Sequence, residues 1–221
     1  MHPALITPAD SVIPRGAGIL VALRPTVDYS AAGSSPPLPS SDTILPEMGE
    51  WSFDLGGEKL AFVRDQLAPG LVVLRPRKPV AGRVMIRVGT DLLASYVFGA
   101  ASDTRPMEKP PVQGARKLID QGATRRSTQL VSIEVSLQSP PPSSAVAIVT
   151  WLITKTTRMP SSFQLTFGSQ TTVMESYRAP GRCSEDVPGT LVPYLDDEIS
   201  FSWVDEFGRR SEVSKSTRLV E

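Results

Sequence analysis

Proline is the residue that most constrains the fold of this chain, because it occurs at 21 of the 221 positions. Globular proteins average about 5% proline, so the share here is roughly doubled. A proline ring cannot donate a backbone hydrogen bond, and it breaks the interior of a helix. The sequence therefore leaves little room for long helices and favours short strands joined by frequent turns.

Hydrophobic and polar residues alternate along several segments of the second half. The clearest segment is Gln129–Gln138 (QLVSIEVSLQ), and Glu198–Asp205 (EISFSWVD) repeats the pattern with Ile, Phe and Trp on one face. A period of two places alternate side chains on the same face of a strand. FQLTF, which ends before Gly168, shows the same alternation. Ala145–Thr154 is more continuously apolar and rich in Val, Ile and Thr, which predicts a strand buried on both faces.

The first half predicts further short strands separated by turns that contain Gly or Pro. These candidate strands are His2–Thr7, Ala17–Leu23, Glu50–Leu55, Glu58–Arg64, Leu71–Arg75, Arg83–Val88 and Leu92–Phe98. Gly56 and Gly57 separate two of them. Both positions tolerate a positive φ, so a two-residue hairpin turn is predicted there.

Two stretches lack any periodicity. Ala31–Pro46 is rich in Ser and Pro and predicts a long surface loop. Ser102–Thr128 has the composition of a linker, in which Ala115–Gln121 could form one or two helical turns. Domains run to about 100–200 residues. We therefore predict an all-β protein with two tandem β-sandwich domains at 1–104 and 129–221, joined by a linker at 105–128. The alternative is a single large sandwich in which this stretch is a crossover.

The residues needed for several kinds of catalysis are absent from the sequence. His2 is the only histidine, which argues against a serine or cysteine nucleophile activated by imidazole and against a histidine zinc site. Cys183 is the only cysteine, so it can form neither an intrachain disulfide nor a thiolate metal site. No phosphate-binding glycine loop occurs. We therefore predict a protein that is not an enzyme and has no cofactor.

Carboxylates are the remaining candidates for chemistry. Acidic residues flank the predicted strand at 198–205, and they are Asp196, Asp197, Glu198, Asp205 and Glu206. Loop carboxylates can bind calcium, which takes six to eight oxygen ligands. The favoured interpretation is an exposed acidic turn that keeps the strand ends soluble. A carbohydrate-active enzyme would need Glu134 or Glu175 to face Asp197, and it is the least favoured hypothesis because no pattern places these residues together.

Charge and hydropathy restrict the partners. The chain has 23 basic and 23 acidic residues, whereas nucleic-acid binding usually requires a basic excess, so no nucleic-acid partner is predicted. No apolar run approaches the roughly 18 residues of a membrane helix. The first ten residues, MHPALITPAD, lack the charged and apolar regions of a signal peptide, so an exported chain would have lost its leader before Met1.

A contact surface for a protein or glycan partner, or for self-association, is predicted from exposed aromatic and loop residues. Trp151 and Trp203 fall in predicted core strands, where an aromatic residue usually serves packing. Trp51 lies beside the Ala31–Pro46 loop and is expected to be the most exposed tryptophan. The third component is the loop at 177–188. Its candidate contact residues are Arg178, Arg182 and Cys183.

Three segments resemble parts of bacterial immunoglobulin-like domains, which are modular β-sandwiches of exported and cell-envelope proteins. Ile6–Leu23 (ITPADSVIPRGAGILVAL) is similar to their opening, with Ser11 where a glycine is usual. LAPG and KPVAGRVMIRV resemble the entry to a late strand, with Met85 in place of the usual aromatic residue. Ile199–Ser216 resembles the closing hairpin of an immunoglobulin-like or fibronectin-like domain. The resemblance implies two such sandwiches in an extracellular, periplasmic or outer-surface setting, and it implies no catalytic residues.

The leading functional hypothesis is therefore a non-enzymatic structural, adhesive or binding module. The alternative is a jelly-roll or sandwich subunit of a larger assembly such as a shell, capsid or filament, because long proline-rich loops and a neutral charge suit lateral packing.

Overall fold

The computed structural model describes residues 2–24, 50–100, 106–120, 130–153, 158–166, 171–178 and 198–220. Within these ranges the chain forms sixteen β-strands and no α-helix, so the all-β prediction is confirmed. No helix in the described part of the chain is long and apolar enough to cross a membrane. The chain divides into two compact units. The first comprises Met1–Asp65 and Gly70–Asp103, and the second comprises Gln66–Pro69 and Thr104–Glu221.

The first unit contains nine strands in two sheets, except that the last three residues of β6 belong to the second unit. The strands are β1 (His2–Leu5), β2 (Val12–Pro14), β3 (Ile19–Arg24), β4 (Trp51–Leu55), β5 (Glu58–Lys59), β6 (Phe62–Ala68), β7 (Leu71–Pro76), β8 (Gly82–Val88) and β9 (Asp91–Ala100). One sheet has the order β1-β3-β7-β6, and the other has the order β2-β9-β8-β4-β5. β1 pairs antiparallel with β3, whereas β2 pairs parallel with β9. The opening segment therefore crosses from one sheet to the other.

Side chains fasten this crossing to the backbone of both sheets. The Thr7 hydroxyl accepts the Leu20 N–H at 2.7 Å, and the buried Tyr96 hydroxyl donates to the Thr7 carbonyl at 3.1 Å. Burial raises the pKa of the Tyr96 phenol, and the negative charge of Asp10 adds to the shift, so the phenol keeps its proton for this bond. The crossing is thus held at both sheets by two side chains.

Asp10 completes the crossing in the left-handed backbone region, with φ at 60°. Aspartate is one of the few residues other than glycine that adopt this conformation readily. Its N–H donates to the Ser95 carbonyl at 2.7 Å, and its carboxylate accepts hydrogen bonds from the Ser95 hydroxyl and from Arg83, the latter at 2.8 Å. These hydrogen bonds, with that of Ser95 the larger cause, lower the pKa of the exposed Asp10 carboxyl.

The second unit contains seven strands in two further sheets. The strands are β10 (Val112–Asp120), β11 (Leu130–Leu137), β12 (Ala145–Ile153), β13 (Arg158–Leu165), β14 (Thr172–Arg178), β15 (Glu198–Asp205) and β16 (Thr217–Arg218). The sheet orders are β10-β11-β14 and β13-β12-β15-β16. Buried side chains from both sheets, including Ile133, Val135, Phe201 and Trp203, form one hydrophobic cluster. Two sheets that share a core in this way are the layers of a β-sandwich.

The closing segment of this unit runs along the edge of β15 without forming a regular strand. The Ser211 hydroxyl accepts the Trp203 N–H at 2.9 Å, and the Ser214 hydroxyl accepts the Phe201 N–H at 3.0 Å. In return the Ser211 and Ser214 N–H groups donate to the Trp203 and Phe201 carbonyls. Beyond β16, the Lys117 N–H donates to the Val220 carbonyl at 2.7 Å, in a parallel bridge to β10.

The strands predicted from alternation and apolar runs are all present. β11, β12 and β15 match the clear segments of the second half, and six of the seven candidate strands of the first half correspond to β1, β3, β4, β7, β8 and β9. The seventh, Glu58–Arg64, is divided between β5 and the start of β6, and β6 continues to Ala68. The Gly56–Gly57 hairpin is confirmed, since β4 pairs with β5 across it. Burial along β13 differs from the expectation, because Ser161 and Ser162 are buried and Phe163 and Leu165 are only half-buried.

The helical turns predicted at Ala115–Gln121 are wrong. Val112–Asp120 forms strand β10 within the predicted linker and pairs with β11 along its length. β10 lies at the edge of its sheet, and among its described side chains only that of Ala115 is fully buried, so it carries little hydrophobic alternation. The domain boundaries at 104 and 129 stay a prediction.

Candidate functional site

The expectation that Trp51 is the most exposed tryptophan is wrong. Its side chain is 7% exposed, whereas Trp151 is half-buried and donates from Nε1 to the Ser202 hydroxyl. The cause is the register of β4 on β8, which places Trp51 opposite Val88. Trp51 therefore shares a sheet face with the buried residues Val84 and Ile86.

The remaining residues of the predicted contact surface are not brought together by the described chain. Arg178 is the last residue of β14, and the structure does not describe its side chain. Arg182, Cys183 and the Ala31–Pro46 loop lie outside the described residues. Their contact with a partner stays a prediction.

Asp205 was expected in an exposed acidic turn, but it is 1% exposed. Its carboxylate accepts the N–H groups of Phe207 at 3.0 Å and Arg209 at 2.8 Å, and it pairs with the Arg209 guanidinium at 2.5 Å. The Asp205 N–H also donates to the Arg209 carbonyl, which closes a tight hairpin. Asp205 therefore builds the turn, and its oxygens are occupied by this chain's own donors.

The other candidate carboxylates do not form a cluster among the described residues. No group of three or more potential metal ligands occurs in that part of the chain, and Asp196 and Asp197 lie outside it. Glu134 faces Arg116 across the β10–β11 pair and binds its guanidinium, which raises the pKa of Arg116. Glu134 is thus engaged in a cross-strand ion pair, and the side chain of Glu175 is not described.

A different site lies within the first unit, where an open cleft of about 470 Å³ forms at the ends of β2, β7 and β9. Pockets that hold small ligands or short peptide segments typically measure about 300–1,000 Å³. We call it the basic cleft, and its lining consists of Pro14–Ala17, Arg75 and Pro76, Lys78–Ala81, and Phe98 and Gly99.

One wall of the basic cleft is a tight turn after β2. The Ala17 N–H donates to the Pro14 carbonyl at 3.1 Å, and Gly16 has φ at 84°. A positive φ at the third position is the signature of a type II turn, in which glycine avoids a steric penalty. The turn places Arg15 at its tip, and this residue is exposed.

The opposite wall is the segment between β7 and β8, where Lys78, Pro79 and Val80 follow one another. This wall approaches β9 very closely at Gly99. A Cβ atom on Gly99 would lie 2.8 Å from the Cβ of Ala81, and its φ of 94° also disfavours other residues. The register shift in the β2–β9 pair falls here, since Ile13 pairs with Phe98 and Pro14 with Ala100. Gly99 thus lets the two walls meet at the base of the cleft.

An aromatic cluster supports the base of the cleft. Phe98 is 5% exposed and packs edge-on against Phe62, with ring centroids 6.0 Å apart. Phe62 in turn stacks on Phe53 at 4.0 Å. Stacked and edge-on rings of this kind fix one another in position. The base of the cleft is therefore apolar, and the packed rings of Phe62 and Phe53 hold Phe98 in position.

The lining of the basic cleft carries charge of one sign. It contains Arg15, Arg75 and Lys78, and it contains no acidic residue. Arg75 forms an ion pair with Asp65, whose carboxylate lies outside the lining. Arg15 and Lys78 form no ion pair with the described residues, so two of the three cations in the lining are not neutralised there.

The sequence interpretation missed this site because its residues lie on three separate segments. The available signals were the PRGAG turn and the RPRKPVAG stretch, each of which combines Pro, Gly and basic residues. Neither segment alone indicates a cleft, since the β3–β7 and β2–β9 pairings are needed to bring the two segments and the end of β9 together. Comparisons with protein-family models, with curated protein sequences and with solved structures found no match to this chain.

Proposed function

We propose that this protein is a non-enzymatic binding and structural module, built from two immunoglobulin-related sandwiches that act at the envelope or exterior of a bacterial cell. The observation that supports the proposal is the strand order of the two units, because both orders are those of immunoglobulin-class sandwiches. Such folds serve many functions, so the fold alone does not identify the function, which depends on the binding site and has to be tested by experiment.

The strand order of the first unit supports an immunoglobulin-like sandwich. When its strands are lettered A, A′, B, C, C′, D, E, F and G in chain order, the sheets read A-B-E-D and A′-G-F-C-C′. Constant-type immunoglobulin domains place A, B, E and D on one sheet and C, F and G on the other. The buried Trp51 begins strand C, where such domains keep a buried tryptophan. The B–F disulfide of antibody domains is absent, because Cys183 is the only cysteine.

The strand order of the second unit supports a fibronectin-like sandwich. When its strands are lettered A, B, C, C′, E, F and G, the sheets read A-B-E and C′-C-F-G, which is the division used by fibronectin type III domains. Both units also pair an early strand in parallel with the end of the unit, through β2 and β9 in the first and through Arg116 and Val220 in the second.

A non-enzymatic role is supported by what the described carboxylates do. Asp205 holds a hairpin turn, Glu134 pairs with Arg116, and Asp10 holds the crossing between the sheets. Each therefore has a role in stabilising the fold. A broad screen of glycans and ester substrates is expected to give no turnover, and hydrolysis of any of them would overturn this part of the proposal.

Light scattering after size-exclusion chromatography distinguishes a module from an assembly subunit. We expect a particle of the chain mass, 23.8 kDa, at micromolar concentration. A large symmetric particle would instead support the alternative that the chain is a subunit of a shell, capsid or filament. The same measurement detects self-association.

Labelling of intact source cells tests the proposed location. A membrane-impermeant amine reagent is expected to label the lysines of this protein, with a cytoplasmic protein of the same cells as the negative control. Labelling only after lysis would exclude an outer-surface location, and labelling after selective permeabilisation of the outer membrane would indicate the periplasm.

A further inference from the structure

We infer that the basic cleft of the first unit binds an extended acidic segment of a partner protein, an assignment that rests on the proposed function as a binding module. The inference combines the charge of the lining, the apolar base and the strand edge beside the cleft. It commits to a peptide with carboxylates and at least one apolar side chain.

Charge complementarity argues for an acidic ligand. Arg15 and Lys78 line the cleft from two different segments, and no carboxylate is part of the lining. Their charges are not cancelled by an ion pair with the described residues, whereas that of Arg75 is engaged by Asp65. A chain with zero formal net charge thus presents a locally cationic surface at one place. Complementary charge of this kind speeds association and rejects partners of the wrong sign.

The apolar base argues for a ligand that also carries an apolar side chain. Phe98, Val80 and the rings of Pro14 and Pro79 supply the uncharged surface of the cleft. Proline rings and a packed aromatic residue lose little conformational entropy when a ligand binds, so contacts with them are efficient. An apolar side chain seated here would leave the flanking carboxylates of the ligand near the two cations.

The neighbouring strand edge argues for an extended ligand. β2 is the terminal strand of its sheet, it ends at the cleft with Pro14, and Val12 on it is 53% exposed. An edge strand offers backbone groups to which an extended peptide can add. Pro14 has no N–H, so pairing would end at the cleft and give way to side-chain contacts there.

A peptide fits these features better than a nucleic acid does. Proteins that bind nucleic acids neutralise several phosphates at once, commonly about six to ten. The cleft presents only Arg15 and Lys78 as cations without an ion-pair partner in the described part of the chain. Nucleic-acid binding is therefore treated as an outcome that would overturn the inference.

The test uses the full chain and a dye-labelled eight-residue peptide of alternating glutamate and leucine, with binding measured by fluorescence anisotropy. We expect saturable binding that weakens as salt is raised, because added ions screen the exposed cations. Matched peptides with lysine or serine in place of glutamate are expected to bind about ten-fold more weakly or not at all.

The decisive variants reverse the two charges and compare them with a neighbour. Arg15→Glu combined with Lys78→Glu is expected to weaken binding of the acidic peptide about ten-fold or more. Arg77→Glu makes the same kind of change at an exposed residue between Pro76 and Lys78 that does not line the cleft, and it is expected to change affinity less than two-fold. Circular dichroism and Tm show whether charge reversal disturbs folding. If it does, the Arg15→Ala and Lys78→Ala double variant replaces the charge-reversed one in the same binding measurement.

Three results would overturn the inference. They are absence of binding up to millimolar peptide, equal weakening by Arg77→Glu, and tighter binding of a single-stranded oligonucleotide that the double variant also abolishes. None of these results would touch the proposed module itself, since its failure would show separately as a large particle or as enzymatic turnover.

Discussion

Each unit holds one end of its sequence through side-chain hydroxyl groups that hydrogen-bond to the backbone. The two units differ in how many residues separate the hydrogen-bonded partners. In the first unit, Thr7 joins the opening segment to Leu20 across 13 residues and to Tyr96 across 89 residues, and only the contact with Tyr96 is distant. In the second unit, Ser211 and Ser214 hold the closing segment to strand β15, across 8 and 13 residues. In both units a hydroxyl replaces backbone pairing where the chain leaves a regular strand. Distant contacts require more loop-closure entropy, so the second fastening can form earlier in folding than the first.

Trp203→Ala is expected to have the largest effect. Trp203 is 1% exposed within the core of the second unit, and its backbone N–H, which alanine keeps, donates to the Ser211 hydroxyl. Removing a buried tryptophan side chain costs about 3–5 kcal/mol in the free energy of unfolding. Urea denaturation followed by circular dichroism measures this loss. When Trp151 is also replaced by Phe in both proteins, fluorescence of Trp51 reports whether the first unit unfolds with the second or separately. Unchanged stability would mean that the second core is not organised around Trp203.

Asp205→Ala tests the hairpin that precedes the serine contacts. The substitution leaves the N–H groups of Phe207 and Arg209 without their acceptor, and we expect a loss of about 2 kcal/mol. Glu212→Ala removes the same charge from an exposed residue of the same segment, and it is expected to change the free energy by less than about 0.5 kcal/mol. If both variants lose the same free energy of unfolding in chemical denaturation, the negative charge stabilises this segment and the hydrogen bonds of the turn do not.

Tyr96→Phe tests the corresponding fastening in the first unit. It removes one buried hydrogen bond with little change in packing, and we expect a loss of about 1 kcal/mol. Because the contact is distant in sequence, folding kinetics sharpen the comparison. The substitution is expected mainly to speed unfolding, as for a contact that forms late. A slower folding rate with an unchanged unfolding rate would contradict that order.

The smallest effect is expected from the pH dependence of Asp10. Its folded pKa lies below the ordinary value of 3.8, so its contribution to stability is present above that value and is lost as the pH falls through the lower, folded pKa. Asp10→Asn retains a residue that tolerates positive φ and should remove this part of the acid transition. Asp91→Asn, whose side chain has no such partner among the described residues, is the control. Identical acid profiles for wild type and Asp10→Asn would contradict the assignment.

Sequence patterning predicted the strands that have one buried face or two. The alternation of Ile199, Phe201 and Trp203 predicted β15 because each of these side chains enters the core. The pattern missed β2, β10, β14 and β16, which are short or lie at an edge of their sheet. Such strands are held by backbone hydrogen bonds to partners distant in sequence. Every residue except proline can form these bonds, so the sequence pattern does not reveal them.

The candidate site could not be predicted from the sequence, because it also depends on strand pairing between distant segments. Trp51 was expected to be exposed on the basis of its neighbours in the chain, but the β4–β8 register decides its face. Arg15 and Lys78 were ordinary turn residues until the β3–β7 and β2–β9 pairings placed their segments around one cleft. The sequence predicts an exposed Asp205 because its hydrogen-bond partners are mostly backbone groups, which residue types do not reveal.

The parallel pairing of β2 with β9 also determines how the first unit would respond to tension. When two neighbouring strands are pulled from opposite ends, their hydrogen bonds are loaded in shear and must break together. Pulling on the chain before β2 and after β9 loads the hydrogen bonds of this pair in this way, including the one from the Val97 N–H to the Ser11 carbonyl. The forced-unfolding rate of the first unit would then be set by this three-residue strand, although only Ile13 and Pro14 of it are buried.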